Sequence, residues 1–291
     1  SMVNSTIKLP VVICTIGISG AGKSYWSKQH IKEHPNTKIV CKDDLRAMLD
    51  NSKYSKGNEN FVLKIRDNII VEAVNEGKNV IVADTNLATK HIEHITQLVT
   101  GKATVEIKSF LDVPIETCIK QDLQRLNSVG KDVILKQYYD FVCKSTKPKH
   151  DSTKPNCILV DLDGTLALNN HNRSYFDCST CDKDDVCNEV AEVITRFNDD
   201  TVIIYLTGRE RKYEEPTRAF LIKHNLPNGM LLMRNNNDSR KDYVIKEEIY
   251  ESSIKPYYNV KFVLDDRLSV IRNCWNKLGL FVFKVGREYD F

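Results

Sequence analysis

Residues 17–24 read "GISGAGKS", which matches the pattern G-x-x-x-x-G-K-[ST] and decides the fold of the first half of the chain. The run before it, "VVICTI" (11–16), is continuous and β-branched, which is typical of a buried parallel strand. The run after it, "KSYWSKQHIKEH" (23–34), is predicted to be a helix. A strand, a glycine-rich loop and a helix N-terminus in this order predict a cradle of backbone N–H groups for phosphate oxygens. The glycines of the predicted cradle are Gly17, Gly20 and Gly22.

Two side chains of this motif predict what the cradle holds. Lys23 is placed to reach the β- and γ-phosphates of a nucleotide, and the Ser24 hydroxyl is placed to bind Mg²⁺. ATP or another nucleoside triphosphate is therefore the expected phosphate donor, together with magnesium. The loop alone does not indicate which molecule receives the phosphate.

Candidates for the acceptor side stand where neighbouring strands end, because ligands of open α/β sheets bind at the carboxyl ends of the strands. Asp43 follows the predicted strand "TKIVC" (37–41) and is our candidate for the carboxylate that accepts the proton of the attacking hydroxyl. Asp84 ends the predicted strand "NVIVAD" (79–84) and is the second candidate, or else it orients the acceptor or the metal's waters. For Asp44, capping of the next helix is the better interpretation.

A lid is predicted further along the first half. The stretch "PIETCIKQDLQRLNS" (114–128) has a helical pattern, and a glycine-containing loop follows it. Arg125, near the end of this predicted helix, is our candidate for the cation that stabilises charge on the transferred phosphate. Taken alone, an arginine on a helix is more often a solvated surface residue.

A second motif, "ILVDLDGTL" (158–166), indicates the opposite chemistry, removal of a phosphate. Asp161 comes directly after a buried strand and is the candidate nucleophile, which would form an aspartyl-phosphate. Asp163 can protonate the leaving hydroxyl and then activate water. Magnesium is expected here too, because a carboxylate approaches an anionic phosphate only if charge is neutralised.

The rest of this second site is predicted from other strand ends. "FVLDDR" contributes Asp265 and Asp266 as metal ligands beside Asp161 and Asp163, and we favour Asp266 slightly for direct binding. Thr207, at the end of "TVIIYLT", is a candidate donor to a phosphate oxygen, and Lys246 is a candidate cation on a predicted helix. The ordered set is a stronger signal than any single D-x-D pair.

Strands and helices alternate in both halves, which predicts two α/β domains, each a mainly parallel sheet with helices on both faces. The first half contains one more predicted strand, "ATVEIKSFLDV" (103–113). The polar stretch "KSTKPKHDSTKPN" (144–156) separates the halves. We place the first domain at residues 1–148, a linker at 149–156 and the second domain at 157–291.

The composition and charge of the chain indicate what class of protein it is. The 291 residues have a net charge of +3, and no apolar run approaches the roughly 18 residues that a membrane helix needs. Residues 1–150 hold 22 Lys and Arg against 16 Asp and Glu, a net +6, and residues 151–291 hold 20 against 23, a net −3. The basic first half suits a polyanionic partner, although ordinary surface charge explains it as well.

The nine cysteines are scattered, which favours free thiols and a cytoplasmic location. Cys178, Cys181 and Cys187 cluster downstream of His171, so a zinc site is an alternative, but one C-x-x-C without a second pair is a weak signal. Loop cysteines are the better interpretation.

Together these motifs resemble the bacteriophage-type polynucleotide 5′-kinase/3′-phosphatases over nearly the whole chain. The motifs that carry the resemblance, in order, are "GISGAGKS", "KDDLR", "ADTNL", "LDVP", "VDLDGTLA", "TGRE", "RKDYVIKEEI" and "LDDR". The first domain resembles P-loop phosphotransferases, and the second resembles phosphatases of the haloacid dehalogenase (HAD) superfamily. Two features depart from the family: Gln121 replaces an arginine, and the segment around Arg173 differs in length and composition.

The resemblance implies roles for matched positions. In the first domain Lys23, Ser24, Asp43 and Arg125 match the kinase residues, and Arg46 matches a residue that holds the phosphate next to the acceptor hydroxyl. The matched phosphatase positions are Asp161, Asp163, Arg173, Thr207, Arg209, Arg234, Asp242, Lys246, Asp265 and Asp266.

The resemblance also implies a function. One site would transfer the γ-phosphate of ATP to 5′-hydroxyl ends of RNA or DNA, and the other would clear 3′-phosphate ends, with 2′,3′-cyclic phosphates as further candidates. The healed ends would then suit a ligase. Self-association is implied as well. One alternative is a small-molecule kinase fused to a small-molecule phosphatase. The other is a nucleotide-gated nucleic-acid binder with inactive sites, which is disfavoured because both reactive sets are complete.

Overall fold

The computed structural model describes residues 8–143, 145–197 and 199–287. The chain divides into two compact units, Ser1–Val142 and Cys143–Phe291. Each unit has its own sheet, so each is described separately.

The first unit is built on a four-stranded sheet with the order β2-β3-β1-β4, in which every pairing is parallel. Its strands are β1 (Val11–Ile16), β2 (Thr37–Val40), β3 (Asn79–Val82) and β4 (Thr104–Ser109). Its helices are α1 (Lys23–Glu33), α2 (Lys42–Asp50), α3 (Lys56–Asn75), α4 (Thr89–Leu98), α5 (Ile115–Asp122) and α6 (Lys131–Gln137), and a π-helical turn, Tyr138–Val142, continues α6. The predicted parallel sheet is confirmed.

The second unit has a five-stranded parallel sheet with the order β11-β10-β5-β8-β9 and a small antiparallel pair, β6 with β7. Its strands are β5 (Asn156–Val160), β6 (Ala167–Leu168), β7 (Asp185–Val186), β8 (Val202–Glu210), β9 (Gly229–Arg234), β10 (Asn259–Asp265) and β11 (Val282–Lys284). Its helices are α7 (Asn188–Arg196), α8 (Glu214–Lys223), α9 (Asp242–Ile249) and α10 (Leu268–Val270). Short 3₁₀ turns lie at Cys181–Lys183 and Arg211–Tyr213, and π-helical turns lie at Tyr250–Ile254 and Ile271–Trp275.

Strand β5 shows why its sequence is apolar on both faces. Cys157 and Leu159 point into one core with Trp275, whereas Ile158 and Val160 point into another core with Phe220. Successive side chains of a strand alternate between faces, so a sheet covered on both sides needs apolar residues at every position. The predicted layering of helices on both faces of the sheet is confirmed here.

The polar segment 145–156 packs against the second unit. The Ser145 hydroxyl donates to the Asn276 carbonyl at 2.6 Å. The Asn259 amide donates to the carbonyls of Asp151 (2.7 Å) and Lys154 (2.9 Å), and the Asp151 N–H donates back to the Asn259 side chain at 2.9 Å. The side chain of Asn259, at the start of β10, therefore binds three backbone groups of this segment.

Two predicted elements are longer than the observed ones. The predicted strand 103–113 is a strand only over Thr104–Ser109, and the predicted helix 114–128 ends at Asp122. Arg125 therefore lies beyond the end of the helix, so the prediction that it lies on this helix was wrong. The Asp122 carboxylate explains the ending, because it accepts hydrogen bonds from the N–H groups of Val129 (3.2 Å) and Gly130 (3.0 Å) and so turns the chain back. Among the described residues no helix is both long and apolar enough for a membrane span.

Candidate active sites

The glycine-rich loop lies between β1 and α1 of the first unit, as predicted. Gly20 and Gly22 have φ values of +83° and +100°, a region that glycine adopts without strain. A Cβ on Gly20 would also overlap the carbonyl oxygen of Cys118, so α5 packs directly on the loop. The Lys23 amine donates to the carbonyls of Gly17 (2.9 Å) and Ile18 (2.6 Å).

The electrostatics of Lys23 follow from its position. Only 8% of the residue is exposed, and burial lowers the pKa of its ammonium from 10.5 to about 8. Ser24 lies beside it in the first turn of α1 and is exposed. Gln137, at the end of α6, also holds the loop in place. The N–H of Ser19 donates to Gln137 Oε1 at 3.0 Å, and Gln137 Nε2 donates to Ser19 Oγ at 3.2 Å. Sequence reasoning missed Gln137.

Three predicted residues of the first unit come together after β2. Asp43, in the first turn of α2, accepts a hydrogen bond from Arg46, one turn later. Arg125 approaches from the other side, with its Nη2 3.9 Å from Asp43 Oδ2. The Asp43 side chain is half-exposed, which leaves it accessible to a hydroxyl group. The structure thus brings the candidate base and both candidate cations to one place.

Arg46 has a second partner that the sequence did not reveal. Its Nε and Nη2 donate to the two carboxylate oxygens of Glu59 at 2.7 and 2.6 Å. The hydrogen bond from Arg46 lowers the pKa of Glu59 and raises that of the guanidinium. This bidentate pair fixes the orientation of the arginine, so its remaining donor group faces Asp43.

Asp84 lies at the end of β3, as predicted, but both of its oxygens have protein partners. Oδ1 accepts from the N–H of Lys42 at 2.8 Å, and Oδ2 accepts from Arg66 Nη1 at 3.1 Å. Arg66 is 1% exposed, so Asp84 also neutralises a buried charge. These contacts hold the start of α2, the helix that carries Asp43. Arg66 has no motif around it, and the sequence did not point to it.

Asp122 organises the segment that presents Arg125. Besides the two N–H groups noted above, its carboxylate accepts from the Ser128 hydroxyl at 2.6 Å and from Arg125 Nη1 at 3.4 Å. Burial alone would raise its pKa, but these hydrogen bonds outweigh burial and lower it. The ionised carboxylate is therefore the form that shapes this loop. Sequence reasoning missed Asp122.

The second site is built around Asp161, directly after β5. Its Oδ1 accepts from Lys246 Nζ at 2.8 Å, and its Oδ2 accepts from the Thr165 hydroxyl at 3.0 Å. Lys246 comes from α9 and is 2% exposed. Burial raises the pKa of Asp161 well above its usual range; Lys246 opposes that effect, and two neighbouring carboxylates, those of Asp265 and Asp266, add to it.

Oxygen atoms of three buried carboxylates, those of Asp161, Asp265 and Asp266, lie within 4.8 Å of one another. Such a group of oxygens fits a magnesium ion, which would relieve the repulsion between the carboxylates. Asp265 is fully buried and accepts from Lys246 (3.1 Å) and the Trp275 indole (3.0 Å), whereas Asp266 lines the cavity described below. This difference supports the preference for Asp266 as the direct ligand.

The carboxylate of Asp163 lies outside that group of oxygens, and its role as a fourth metal ligand stays a prediction. Its carboxylate accepts from Arg209 Nε (2.9 Å) and Nη2 (2.8 Å) and from Arg173 Nη2 (2.8 Å). Burial would raise its pKa, but the arginines, Arg209 first, lower it. Asp184, fully hidden from solvent, accepts from both arginines as well and thus holds them in place. Sequence reasoning missed Asp184.

A cavity of about 820 Å³ opens over these groups. Thr207 lies on its wall at the end of the apolar part of β8, together with Arg234 and Asp242. Arg234 donates to the carbonyl of Gly208 at 2.7 Å and pairs with Asp242, so this arginine and carboxylate shape the wall. Eight of the ten predicted phosphatase residues line the cavity. The other two are Asp265, which is fully buried, and Arg173, and each of them contacts a residue of the cavity wall.

The cysteines of the predicted zinc alternative have other surroundings. Cys181 Sγ accepts from Arg209 Nη1 at 3.2 Å, and Cys178 lies 3.5 Å from Arg173 Nη1. His171 instead contacts Asp184 at 2.8 Å. Within the described ranges the carboxylate group around Asp161 is the only cluster of potential metal ligands. Cys178 and Cys181 pack around the arginines, and Cys187 Sγ instead donates to Glu189 at 3.5 Å.

Comparisons with known proteins agree with this geometry. The family described as "Polynucleotide kinase PNKP phosphatase domain" matches residues 155–291, and the family described as "AAA domain" matches residues 12–141. The second unit therefore carries the phosphatase domain of the polynucleotide kinase family, and the first unit carries an AAA domain. The matched segments hold the two sites in the order that the sequence predicted.

Individual proteins are similar to this chain over most of its length. A protein of Autographa californica nuclear polyhedrosis virus, described as a bifunctional polynucleotide kinase/RNA ligase, is 31% identical over 98% of this chain. The chain spans 44% of that relative's length. Chains in two structures of the Pnkp1/Rnl/Hen1 RNA repair complex are each 31% identical, over 98% and 97% of this chain and 98% of theirs, with TM-scores of 0.47.

Proposed function

We propose that this protein heals broken nucleic-acid ends by two reactions: phosphorylation of 5′-hydroxyl ends from ATP, and removal of phosphate from 3′ ends. The observation that carries the proposal is the presence of two complete reactive sets on one chain. One set places Asp43 between two arginines after a nucleotide loop, and the other places Asp161 between Lys246 and two further carboxylates. RNA or DNA ends are the substrates, with 2′,3′-cyclic phosphates as further candidates.

In the first reaction the loop and Lys23 bind the phosphates of ATP, and Asp43 accepts the proton of the 5′-hydroxyl as its oxygen attacks the γ-phosphorus. Arg125 stabilises the charge that develops on the transferred phosphate. Arg46 contacts the phosphate next to the acceptor, held in orientation by Glu59. Ser24 would help to hold a magnesium ion, which would neutralise further charge on the phosphates of ATP.

In the second reaction a carboxylate oxygen of Asp161 attacks the 3′-phosphorus, and the bond to the 3′-oxygen breaks. Asp163 protonates the leaving oxygen, then takes a proton from the water that hydrolyses the aspartyl-phosphate and so frees inorganic phosphate. An incoming phosphate dianion raises the proton affinity of Asp163 against the effect of its two arginines. Thr207 and Lys246 contact the phosphate oxygens. Asp161 and Asp266 would hold a magnesium ion, which would neutralise charge between the carboxylate and the phosphate.

The proposal is tested by two assays on the parent protein. Transfer of labelled phosphate from ATP to a 5′-hydroxyl oligonucleotide and release of phosphate from a 3′-phosphate oligonucleotide should both be magnesium-dependent. The alternative of a small-molecule kinase and phosphatase is not favoured by the comparisons. Equal turnover of free nucleosides and oligonucleotides would support that alternative and contradict the proposal.

Asp122 gives a prediction specific to the kinase site. Asp122→Asn should lower 5′-phosphorylation on the order of 10- to 100-fold, because Arg125 loses its fixed position relative to the reacting phosphate. Dephosphorylation of 3′ ends should not change. Asp132→Asn, which alters an exposed carboxylate in the first turn of α6, is the matched control and should behave as the parent.

The role of Asp122 can be separated from a general loss of structure by a double-mutant cycle. If Asp122 acts through Arg125, adding Asp122→Asn to Arg125→Ala should cause little further loss of turnover. Losses that simply multiply would assign Asp122 a role independent of Arg125.

The remaining features are also proposals. A ligase would act on the healed ends, since it needs a 5′-phosphate and a free 3′-hydroxyl. All nine cysteines are free thiols, which supports action in the cytoplasm, that of a host cell if the protein is phage-encoded. The functional division near residue 150 and self-association stay predictions.

A further inference from the structure

A second cavity, of about 650 Å³, lies in the second unit and is called the basal groove here; it is lined in part by the start of β5 at Asn156 and of β10 at Asn259. The strands of this sheet are parallel, and Asp161 and Asp265 stand at their opposite ends. A seven-residue strand spans about 20 Å, so the basal groove is separated from the catalytic carboxylates by the length of the sheet. The two cavities share no lining residue.

The basal groove is strongly basic. Its cationic lining residues are Lys147, Lys149, Lys154, Lys255 and Lys261, and His150 lies among them. It also contains two carboxylates, each with a lysine partner. Asp151 Oδ2 lies 3.7 Å from Lys154 Nζ, and Glu251 Oε2 lies 3.3 Å from Lys255 Nζ. Within the part of the chain that the structure describes, Lys147 and Lys149 pair with no carboxylate. The groove therefore has a surplus of positive charge although residues 151–291 carry a net −3.

The lysines project from a fixed wall. The carbonyl of Thr146, next to Lys147, packs so closely on Gly279 that a Cβ there would overlap it. Ser145 and Asp151 bracket the two lysines, and both are hydrogen-bonded to the second unit, as described above. A backbone held on both sides costs less conformational entropy when a ligand binds than a free linker would.

An aromatic ring completes the groove. Phe281 lines it and is 60% exposed, and its outer face is available although its ring lies 5.1 Å from that of Phe283 in an edge contact. A large exposed apolar side chain among unpaired lysines is the combination that binds single-stranded nucleic acid, since the cations contact phosphates and a ring stacks on a base. An acidic protein segment would not use the ring in this way.

We propose that the basal groove binds single-stranded RNA, with its lysines on the phosphates and Phe281 on a base, as a second contact for substrates whose 3′ end lies in the catalytic cavity. This inference rests on the proposed function, because it assumes a nucleic-acid substrate. It adds that the second unit holds the strand far from the reacting phosphate and so favours long substrates over mononucleotides.

The test compares the full-length protein with the variant K147A/K149A. Binding is followed by fluorescence anisotropy of a labelled 20-nucleotide single-stranded RNA with a 3′-hydroxyl, over a series of salt concentrations. Removing two phosphate contacts should reduce the slope of log K against log salt by about 1.4 and weaken binding at low salt several-fold. Phe281→Ala should weaken binding about 5-fold or more without changing the slope.

Two controls keep the result specific to the basal groove. Lys223→Ala removes an exposed lysine at the end of α8, outside the groove, and should leave both slope and affinity unchanged. K147R/K149R keeps both charges and should restore the parent slope. Slopes and affinities of K147A/K149A equal to those of the parent would overturn the proposal and would instead favour an acidic protein as the ligand of the groove.

Failure of the proposed function gives a different result. Turnover of a 3′-phosphate mononucleotide does not involve the basal groove, so K147A/K149A should match the parent with this substrate and lose only the advantage of the long RNA. A parent protein that releases no phosphate from either substrate contradicts the phosphatase activity, and the anisotropy slopes still decide whether the groove binds RNA.

Discussion

Asp161→Asn should reduce phosphate release from 3′ ends to background while transfer to 5′ ends continues at close to the parent rate. An amide of similar size cannot readily form the aspartyl-phosphate, because it lacks the negative charge of the nucleophile. The loop at Lys23 and the base Asp43 belong to the other unit, so the substitution leaves the residues of the kinase site unchanged. The measurement is inorganic phosphate from a 3′-phosphate oligonucleotide beside labelled phosphate transferred from ATP.

The variant should fold. Asp161 shares a buried site with Asp265 and Asp266, and the mutual repulsion of these carboxylates helps to raise its pKa. Removing one negative charge relieves that repulsion, and the Asn oxygen can still accept from Lys246 or Thr165. A thermal midpoint near that of the parent would show that lost activity reflects lost chemistry.

A mixing experiment tests whether the two sites are independent. Asp161→Asn protein combined with Asp43→Ala protein should together heal an RNA that carries a 5′-hydroxyl and a 3′-phosphate, so that a ligase can seal it. Loss of both activities in either folded single variant would show that the sites share a component, and the division of function near residue 150 would be wrong.

Asp43→Asn should lower 5′-phosphorylation by about 10²- to 10⁴-fold, the range expected when a general base is removed. Its carboxylate is the group that both Arg46 and Arg125 contact, so the amide also weakens the placement of two cations. Release of 3′-phosphate should be unchanged. Initial rates with saturating ATP and oligonucleotide measure the loss.

Asp44→Asn is the matched control for this prediction. Both aspartates are exposed and lie in the first turn of α2, so either substitution has a similar effect on the helix N-terminus, typically 0.3–1 kcal/mol. Only Asp43 pairs with the two arginines among the ion pairs of the described residues. Equal losses in both variants would assign Asp43 to helix stability and leave Asp84 as the next candidate base.

Much of the fold could be predicted from local patterns. Runs such as "VVICTI" and "CILV" are almost entirely apolar because their strands are buried on both faces, and each became an interior strand of its sheet. The end of α5 could not be predicted in this way. The helical pattern continues past Asp122, and only the hydrogen bonds of its carboxylate to Val129 and Gly130 show where the helix stops.

The site residues divide in the same way, into those that local patterns predict and those that depend on partners far away in the chain. Asp43, Asp161 and Asp266 were found because each stands directly after an apolar strand, and the chain alone places such residues at the carboxyl edge of a sheet. Gln137 was missed because its partner Ser19 is 118 residues away, and no motif surrounds it. Glu59, Arg66 and Asp184 were missed for the same reason.

The sequence by itself therefore determined the two parallel sheets, their order along the chain and the residues at which the strands end, because periodicity and loop motifs are properties of neighbouring residues. Only the tertiary structure decided how the charges pair. It paired Asp163 with two arginines, occupied both oxygens of Asp84, and fixed Lys147 and Lys149 along a groove. Electrostatic interactions depend on distance through space and on burial, and residues far apart in the chain set both.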